Sequence, residues 1–271
     1  MQTMPASLLP DTTIINTNAR ISYVLYLADN ALILGHRNSE WCGHGPALEQ
    51  DIALSNIALD LLGQARHLYQ YAAELYNQLN PSAPVTEDHL AYLRDVRDFR
   101  NCLLAEQPNG HWGQTVLRQF FFSCWQYYFY QQLQHSNDTQ LQAIAIKSLK
   151  EVTYHLRWSS EWVIRLGDGT AESKTRMQQA AADLWPYTHE LFQPAAFEQE
   201  AVSAGYGVTP GSIEKDCLGR IQHIFSEATL SVPVTQPGLH SGGKTGVHTE
   251  HLGFILAEMQ FLQRAYPGSE W

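Results

Sequence analysis

Residues 47–79 decide the fold, and they read ALEQDIALSNIALDLLGQARHLYQYAAELYNQL. In this stretch apolar residues recur in alternating steps of four and three, at Leu54, Ala58, Leu61, Ala65, Leu68, Ala72 and Leu75. This spacing puts them on one side of an α-helix and makes a seam that packs lengthwise against other helices. Asn80 and Pro81 follow at once and end the predicted helix.

The flanking sequence predicts more helices of the same kind. The stepping returns in residues 138–166, at Leu141, Ala145, Ser148, Val152, His155, Ser159, Trp162 and Leu166. Residues 114–134 are apolar almost all round, which predicts a buried helix, and a helix from Ile21 is expected to end near Gly35. Shorter helices are predicted near residues 173–191, 210–228 and 247–266. We therefore predict an all-α fold, a four-helix bundle with additional C-terminal helices.

Length and composition place the chain among single-domain proteins. With 271 residues and no shift in composition, we predict a flexible leader over residues 1–18 and a single helical domain over 19–271. Charged residues are scarce, at 16%, and aromatic residues reach 11%. Two explanations stay open: part of the surface is covered by another polypeptide of a complex, or the core is large and the surface is rich in Gln and Asn.

The charge balance excludes some partners. The 17 Lys and Arg residues against 27 Asp and Glu give a net charge of −10, which disfavours nucleic acid and anionic membranes. We expect no signal peptide at the N-terminus, and residues 120–130 are too short and too interrupted to span a bilayer. The four cysteines form no C-x-x-C pair, as is typical of a reducing compartment. We predict a soluble cytoplasmic protein.

Two short motifs near the C-terminus are ambiguous. Gly238 to Thr245 matches G-x-x-x-x-G-K-[ST], but a phosphate-binding loop also needs the strand and α/β sheet that this sequence does not predict. The favoured interpretation is a glycine-rich loop. His248 and His251 are spaced to share a metal, yet no third ligand is apparent, so helix capping and interhelical hydrogen bonds are the favoured interpretation.

The bundle has the proportions of a di-iron protein but not its ligands. Such sites take one carboxylate from each of two helices and a Glu-x-x-His from each of the other two. Glu151 and His155 are four residues apart instead of three. In the second helix, a Glu-x-x-His would need both Leu61 and Gln64 to be replaced.

At these residues the chain closely resembles a known family, the non-catalytic, ferritin-like subunit of the bacterial phenylacetyl-CoA epoxidase, a multicomponent ring-1,2-monooxygenase. The resemblance extends from about Tyr23 to Trp271. The stretches that carry it are EWCGH at 40–44, LDLLGQAR at 59–66, EQPNG at 106–110, KEVTYHLR at 150–157 and GGKTGVHTEHLG at 242–253.

The resemblance implies that the active site lies in a paralogue with the same fold and an intact di-iron centre. Its ligand positions fall on Ala31, Leu61, Gln64, Ser123, Val152 and His155. This chain would then have no catalytic, cofactor-binding or metal-binding residue of its own, only a vestigial site. We expect His155 to bond Gln64 and Glu151 to pair with Lys147.

The resemblance also implies the function. The chain would be a structural subunit that pairs with and supports the catalytic di-iron paralogue, in a complex that epoxidises the aromatic ring of phenylacetyl-CoA during phenylacetate catabolism. The other partners would be small accessory subunits and a reductase with FAD and iron–sulfur, fed by NADPH. A further expectation is partner or CoA contact at Lys244, His248, Glu250 and His251.

Two rival interpretations remain open at this point. One is a free-standing metal-dependent oxidoreductase that holds its metal with Glu151, His155 and Glu161 in the helical bundle. The weaker one is a nucleotide-binding protein that uses the loop from Gly238 to Thr245.

Overall fold

The computed structural model describes residues 18–234 and 240–269. The predicted leader lies outside these residues except for Asn18, and so do Gly238 and Leu239 of the glycine-rich loop. All regular secondary structure in the described residues is helical, which confirms the predicted fold class. None of the described helices is both long enough and apolar enough to cross a membrane.

Four of the helices are long, and the others are short. In chain order they are α1 (Ala19–Ser39), α2 (Leu48–Leu79), α3 (Glu87–Tyr92), α4 (Leu103–Glu106), α5 (Trp112–Leu133), α6 (Thr139–Gly167), α7 (Ala171–Leu184), α8 (Ala196–Ser203), α9 (Glu214–Glu227), α10 (Glu250–Met259) and α11 (Phe261–Ala265). The short helices α3, α4 and α8 were not predicted from the sequence.

The long helices begin and end at recognisable signals. The side chain of Asn18 accepts a hydrogen bond from the backbone of Ile21 at the start of α1, at 2.9 Å. The prediction that α1 ends near Gly35 is wrong, because the helix continues to Ser39. Gly35 lies against α2, where a Cβ atom would come within 3.3 Å of Leu62, so this glycine allows close helix packing.

The four long helices form two hairpins. Helix α1 packs along α2, and α5 packs along α6, while α2 and α6 also contact each other. The α2 seam faces inward as predicted, with Leu54, Leu61 and Leu68 fully buried. Helix α8 covers α1, and α7 and α9 pack on α5 and α6. As a result α1 is enclosed, and sixteen of its 21 residues are buried.

Candidate functional site

Side chains from all four long helices are buried at the centre of the bundle. All six positions that the resemblance assigns to metal ligands are buried there: Ala31, Leu61, Gln64, Ser123, Val152 and His155. Each long helix supplies at least one of them. Leu61 and Val152 are fully buried, and each apolar side chain stabilises the fold by about 1.5–3 kcal/mol relative to an exposed one.

The polar residues at the centre bond to neighbours on facing helices. His155 Nε2 lies 2.9 Å from Asp60 Oδ2. Gln64 Nε2 donates to Glu151 Oε2 at 2.9 Å, and Gln64 Oε1 accepts from Gln126 Nε2 at 2.9 Å. These contacts match residue 60 with 155 and residue 64 with 151, so α2 and α6 run antiparallel.

This register corrects two expectations. His155 bonds Asp60 instead of Gln64, and Glu151 accepts from Gln64 instead of pairing with Lys147. In an antiparallel pair, one turn forward on α2 corresponds to one turn back on α6. The amide of Gln64 therefore meets the carboxylate of Glu151, and the imidazole of His155 meets Asp60.

Ser123 belongs to a separate polar chain that joins α1 to α5. Gln119 Nε2 donates to Ser123 Oγ at 2.8 Å, and Gln119 Oε1 accepts from Asn38 Nδ2 at 2.7 Å. All three residues are buried. The hydroxyl of Ser123 thus has a hydrogen-bonding partner within the chain.

The residues present do not fit a di-iron centre. Two irons bring at least four positive charges into a buried site, and carboxylates must neutralise them. The six positions offer an amide, a hydroxyl and one imidazole, whose Nε2 bonds Asp60 and whose Nδ1 has no hydrogen-bond partner among the described residues. Within that part of the chain, no three His, Cys, Asp or Glu side chains gather to hold a metal.

The alternative ligand set also stays apart. His155 is fully buried, whereas Glu161 is exposed on α6. Glu151, the third member, bonds to Gln64. The three side chains therefore do not converge on one point.

Two backbone N–H groups of the glycine-rich loop bind a carboxylate of the chain itself. Glu190 Oε1 accepts from the backbone N–H groups of Gly242 at 2.8 Å and Gly243 at 2.7 Å. Glu190 Oε2 accepts from the backbone of Leu103 at 2.7 Å. The loop amides are the groups that would bind a phosphate in a nucleotide-binding loop, and in this chain they bind Glu190 instead.

Gly243 in this loop and Gly246 directly after it allow close packing. A Cβ atom on Gly243 would lie 2.2 Å from the carbonyl oxygen of Asn101, and one on Gly246 would lie 2.3 Å from that of Arg97. Gly246 also has a positive φ of 82°. The loop is therefore fitted against the segment that connects the two hairpins.

Lys244 is buried in the chain. Its Nζ donates to Glu198 Oε2 at 2.9 Å and to the carbonyl of Gln193 at 2.7 Å, and it lies 5.0 Å from the ring centre of Tyr26. Burial raises the pKa of Glu198, and the positive charge of Lys244 opposes that shift. The structure thus places the Lys244 ammonium away from the surface where a partner or CoA would reach it.

His248 is enclosed as well. Its Nδ1 lies 2.9 Å from Glu106 Oε2 and its Nε2 lies 3.0 Å from the carbonyl oxygen of Phe99. Burial alone would lower the pKa of His248, but the hydrogen bond and the charge of Glu106 outweigh it and raise the pKa. Of the four residues expected to contact a partner or CoA, only Glu250 is exposed, and His251 is half-buried.

The sequence analysis missed the buried ion pair of Asp29 and Arg94. Asp29 accepts from the Arg94 guanidinium, from Tyr69 Oη at 2.5 Å and from the backbone of Arg100 at 2.8 Å. The sequence did carry a signal for this ion pair, because Asp29 is the one acidic residue in the largely apolar run YVLYLADNALIL at 23–34. A charge in such a run is stable only with a partner.

The geometry defines a class, the ferritin-like helical bundles, and the six central positions of this bundle carry no carboxylate. The family model described as Phenylacetic acid catabolic protein matches residues 7–271, and the chain belongs to that family. Among curated proteins the chain is similar to a subunit of the 1,2-phenylacetyl-CoA epoxidase of Escherichia coli (strain K12). The two are 47% identical over 254 residues, which is 94% of this chain and 100% of the relative. The comparisons support a role in phenylacetate catabolism.

Proposed function

We propose that this chain is the structural, non-catalytic subunit of a multicomponent phenylacetyl-CoA monooxygenase. It pairs with the di-iron catalytic paralogue and holds that subunit in an active shape. The similarity to a protein named as an epoxidase subunit supports the reaction assigned to the whole complex, epoxidation of the aromatic ring. The complex works in the cytoplasm with O2 and NADPH, and its reductase carries FAD and iron–sulfur.

One observation carries the non-catalytic role: the six positions assigned to metal ligands hold buried side chains, only one of which, His155, is of a type that commonly binds iron. Leu61 and Val152 fill the space that two ligand carboxylates would need, and both are fully buried. Gln64 bonds to Glu151 and Gln126. Such a centre stabilises the bundle without any metal. Residues 19–271 act as one domain in this proposal.

The chain's contribution to the reaction is then mechanical. Its enclosed α1 and its buried ion pairs make a rigid body against which a partner can be positioned. Glu250 and His251, at the start of α10, remain the residues that we propose to contact a partner or CoA.

The proposal is tested by measuring metal content and activity in parallel. The purified chain is incubated with Fe(II), Mn(II) or Zn(II), desalted and analysed, and we expect less than about a tenth of an equivalent bound. Phenylacetyl-CoA oxidation is then assayed with the chain alone, with the catalytic paralogue alone and with both, each with reductase. We expect full activity only with both.

A free-standing metalloenzyme predicts the opposite. In that case the isolated chain would retain about one or two equivalents of metal, and His155→Ala would abolish the binding. Turnover by the isolated chain would also overturn the structural role.

A further inference from the structure

Two of the four cysteines contact each other inside the protein. Cys124 lies on α5 and Cys217 lies on α9, and both are buried. The thiol of Cys217 donates to Cys124 Sγ at 3.2 Å, and the thiol of Cys124 donates to the carbonyl oxygen of Cys217 at 3.5 Å. A buried cysteine ordinarily serves as a small apolar residue. Two in direct contact also form a dithiol, which an oxidant can convert to a disulfide.

The packing of α9 on α5 holds the two sulfur atoms together. A disulfide bond is about 2 Å long, so the sulfur atoms must approach by about 1 Å, which a small rotation of each side chain provides. Phe225, about two turns after Cys217, packs on Phe121 of α5 with 5.9 Å between the ring centres. The two helices are therefore in contact on both sides of this distance, and bond formation needs no movement of either helix.

The other two cysteines lack such a neighbour. Cys42 is exposed and Cys102 is buried, and in the described residues neither sulfur atom bonds to another cysteine. An exposed lone thiol is open to any oxidant, whereas a buried lone thiol has no second sulfur with which to form a bond. A disulfide that forms within the folded chain should therefore join Cys124 and Cys217.

Burial makes this pair slow to react and restricts the oxidants that reach it. The hydrogen bond to Cys124 and the loss of solvation raise the pKa of Cys217 well above the ordinary thiol value, so the closed structure holds little thiolate. However, α9 is a surface helix with exposed residues such as Lys215 and His223, and local opening of such a helix admits small molecules. A small neutral oxidant such as hydrogen peroxide fits these conditions.

We propose that Cys124 and Cys217 are a modification site at which hydrogen peroxide forms a disulfide between α5 and α9. The thiolate of one cysteine attacks a peroxide oxygen and the O–O bond breaks, which leaves a sulfenic acid and a hydroxide that takes up the thiol proton and departs as water. The second thiol then attacks the sulfenic sulfur, the S–S bond forms, and its proton leaves with the hydroxyl group as a second water. The two sulfur atoms are oxidised and one peroxide is reduced to two waters.

The disulfide would fasten α9 to α5. It joins residues that are 93 positions apart, and a bond that closes a long loop restricts the unfolded chain strongly. The oxidised chain should therefore have a thermal midpoint about 5–10 °C above that of the reduced chain, and dithiothreitol should reverse the rise. This inference goes beyond the proposed function and does not depend on it.

Peptide mapping tests the site directly. The purified chain is exposed to hydrogen peroxide until Cys42 is fully oxidised, treated with catalase, unfolded in iodoacetamide and digested with trypsin. Each cysteine falls in a different tryptic peptide, and those of Cys124 and Cys217 are residues 119–147 and 216–220. We expect these two peptides to be joined, with a mass two hydrogens below their sum, and to separate on reduction. Absence of the joined peptide when Cys42 is fully oxidised would overturn the proposal.

Two variants check that the same bond causes the stabilisation. Cys217→Ala should lose the joined peptide and the peroxide-dependent rise in the thermal midpoint, whereas the control Cys42→Ala, which removes an exposed thiol, should keep both. A rise that persists in Cys217→Ala would contradict the proposal, and so would a disulfide from Cys124 to Cys102. The wild-type peptide map needs no variant, so it decides the matter even if Cys217→Ala folds poorly.

Discussion

Replacing Glu190 with glutamine keeps the size of the side chain but removes its charge and one of its two acceptor oxygens. The carboxylate is buried and accepts three backbone hydrogen bonds, from Leu103, Gly242 and Gly243, at 2.7–2.8 Å. Glutamine can keep the two bonds made to Oε1, but its NH2 group then points at the N–H of Leu103. In the variant, the new NH2 group and the N–H of Leu103 are therefore two buried donors that face each other without an acceptor.

The expected loss follows from these three bonds. Losing the bond to Leu103 costs about 1.5–3 kcal/mol, because its acceptor is charged, and the two remaining bonds each weaken by about 1 kcal/mol when the acceptor becomes neutral. Allowing for local relaxation, Glu190→Gln should lower the free energy of unfolding by about 3–4 kcal/mol. For a chain of 271 residues this corresponds to a fall of about 5–7 °C in the thermal midpoint.

Circular dichroism at 222 nm during heating, together with urea unfolding, measures this loss. Glu200→Gln is the control, because Glu200 is an exposed acid on α8 and its replacement should change the stability by less than about 0.5 kcal/mol. A Glu190→Gln variant as stable as the control would refute the argument that the glycine-rich loop is held by this carboxylate.

Three other predictions concern buried charges. The pKa of His248 is raised in the folded chain, so its stabilising contribution is complete below the unfolded value of about 6.5 and is lost as pH rises through the folded value. His248→Gln should thus destabilise more at about pH 6 than at about pH 9 in urea unfolding, and an equal loss at both would contradict this. Asp29→Asn leaves Arg94 without its buried counter-ion and should lower the free energy of unfolding by about 3–5 kcal/mol. Asp95→Asn, which removes the acid of an exposed ion pair with Arg264, is the control and should lower it by less than about 0.5 kcal/mol. Leu61→Glu puts a carboxylate at a fully buried position and should lower the thermal midpoint, and a recovery on addition of Fe(II) would show that metal donors remain at the centre.

The sequence predicted those parts of the fold that follow from local periodicity. The seam of α2 and the stepping in α6 give the inside of each helix directly, so the two hairpins could be derived. The end of α1 could not be predicted in this way. A glycine usually indicates the end of a helix, but Gly35 lies inside α1 and allows close packing on α2. The short helix α4 spans one turn, too little for a period to show.

The site was predictable only in part, for a related reason. The six positions that the resemblance assigns to metal ligands lie on the inward faces of the long helices, so their burial follows from the helical period. The hydrogen bonds of Gln64 and His155 depend on the register between α2 and α6, which a single sequence does not carry. Likewise, the match of Gly238 to Thr245 with a phosphate-binding loop gave no sign that Glu190, some fifty residues earlier, would accept hydrogen bonds from the backbone of Gly242 and Gly243.

The buried acids of this chain explain how a bundle without central metal ligands can still be rigid. Glu106 binds His248, Glu190 binds the glycine-rich loop and Glu198 binds Lys244, so three carboxylates fasten the segment before α10. Glu106 belongs to α4 and Glu190 also binds Leu103 at its start, so the same bonds fasten the link between the hairpins. Each of these bonds joins parts of the chain that are distant in sequence, as a metal does when it takes ligands from several helices. Since the three bonds are made outside the six central positions, they stabilise the fold without any metal at the centre, as the proposed supporting role requires.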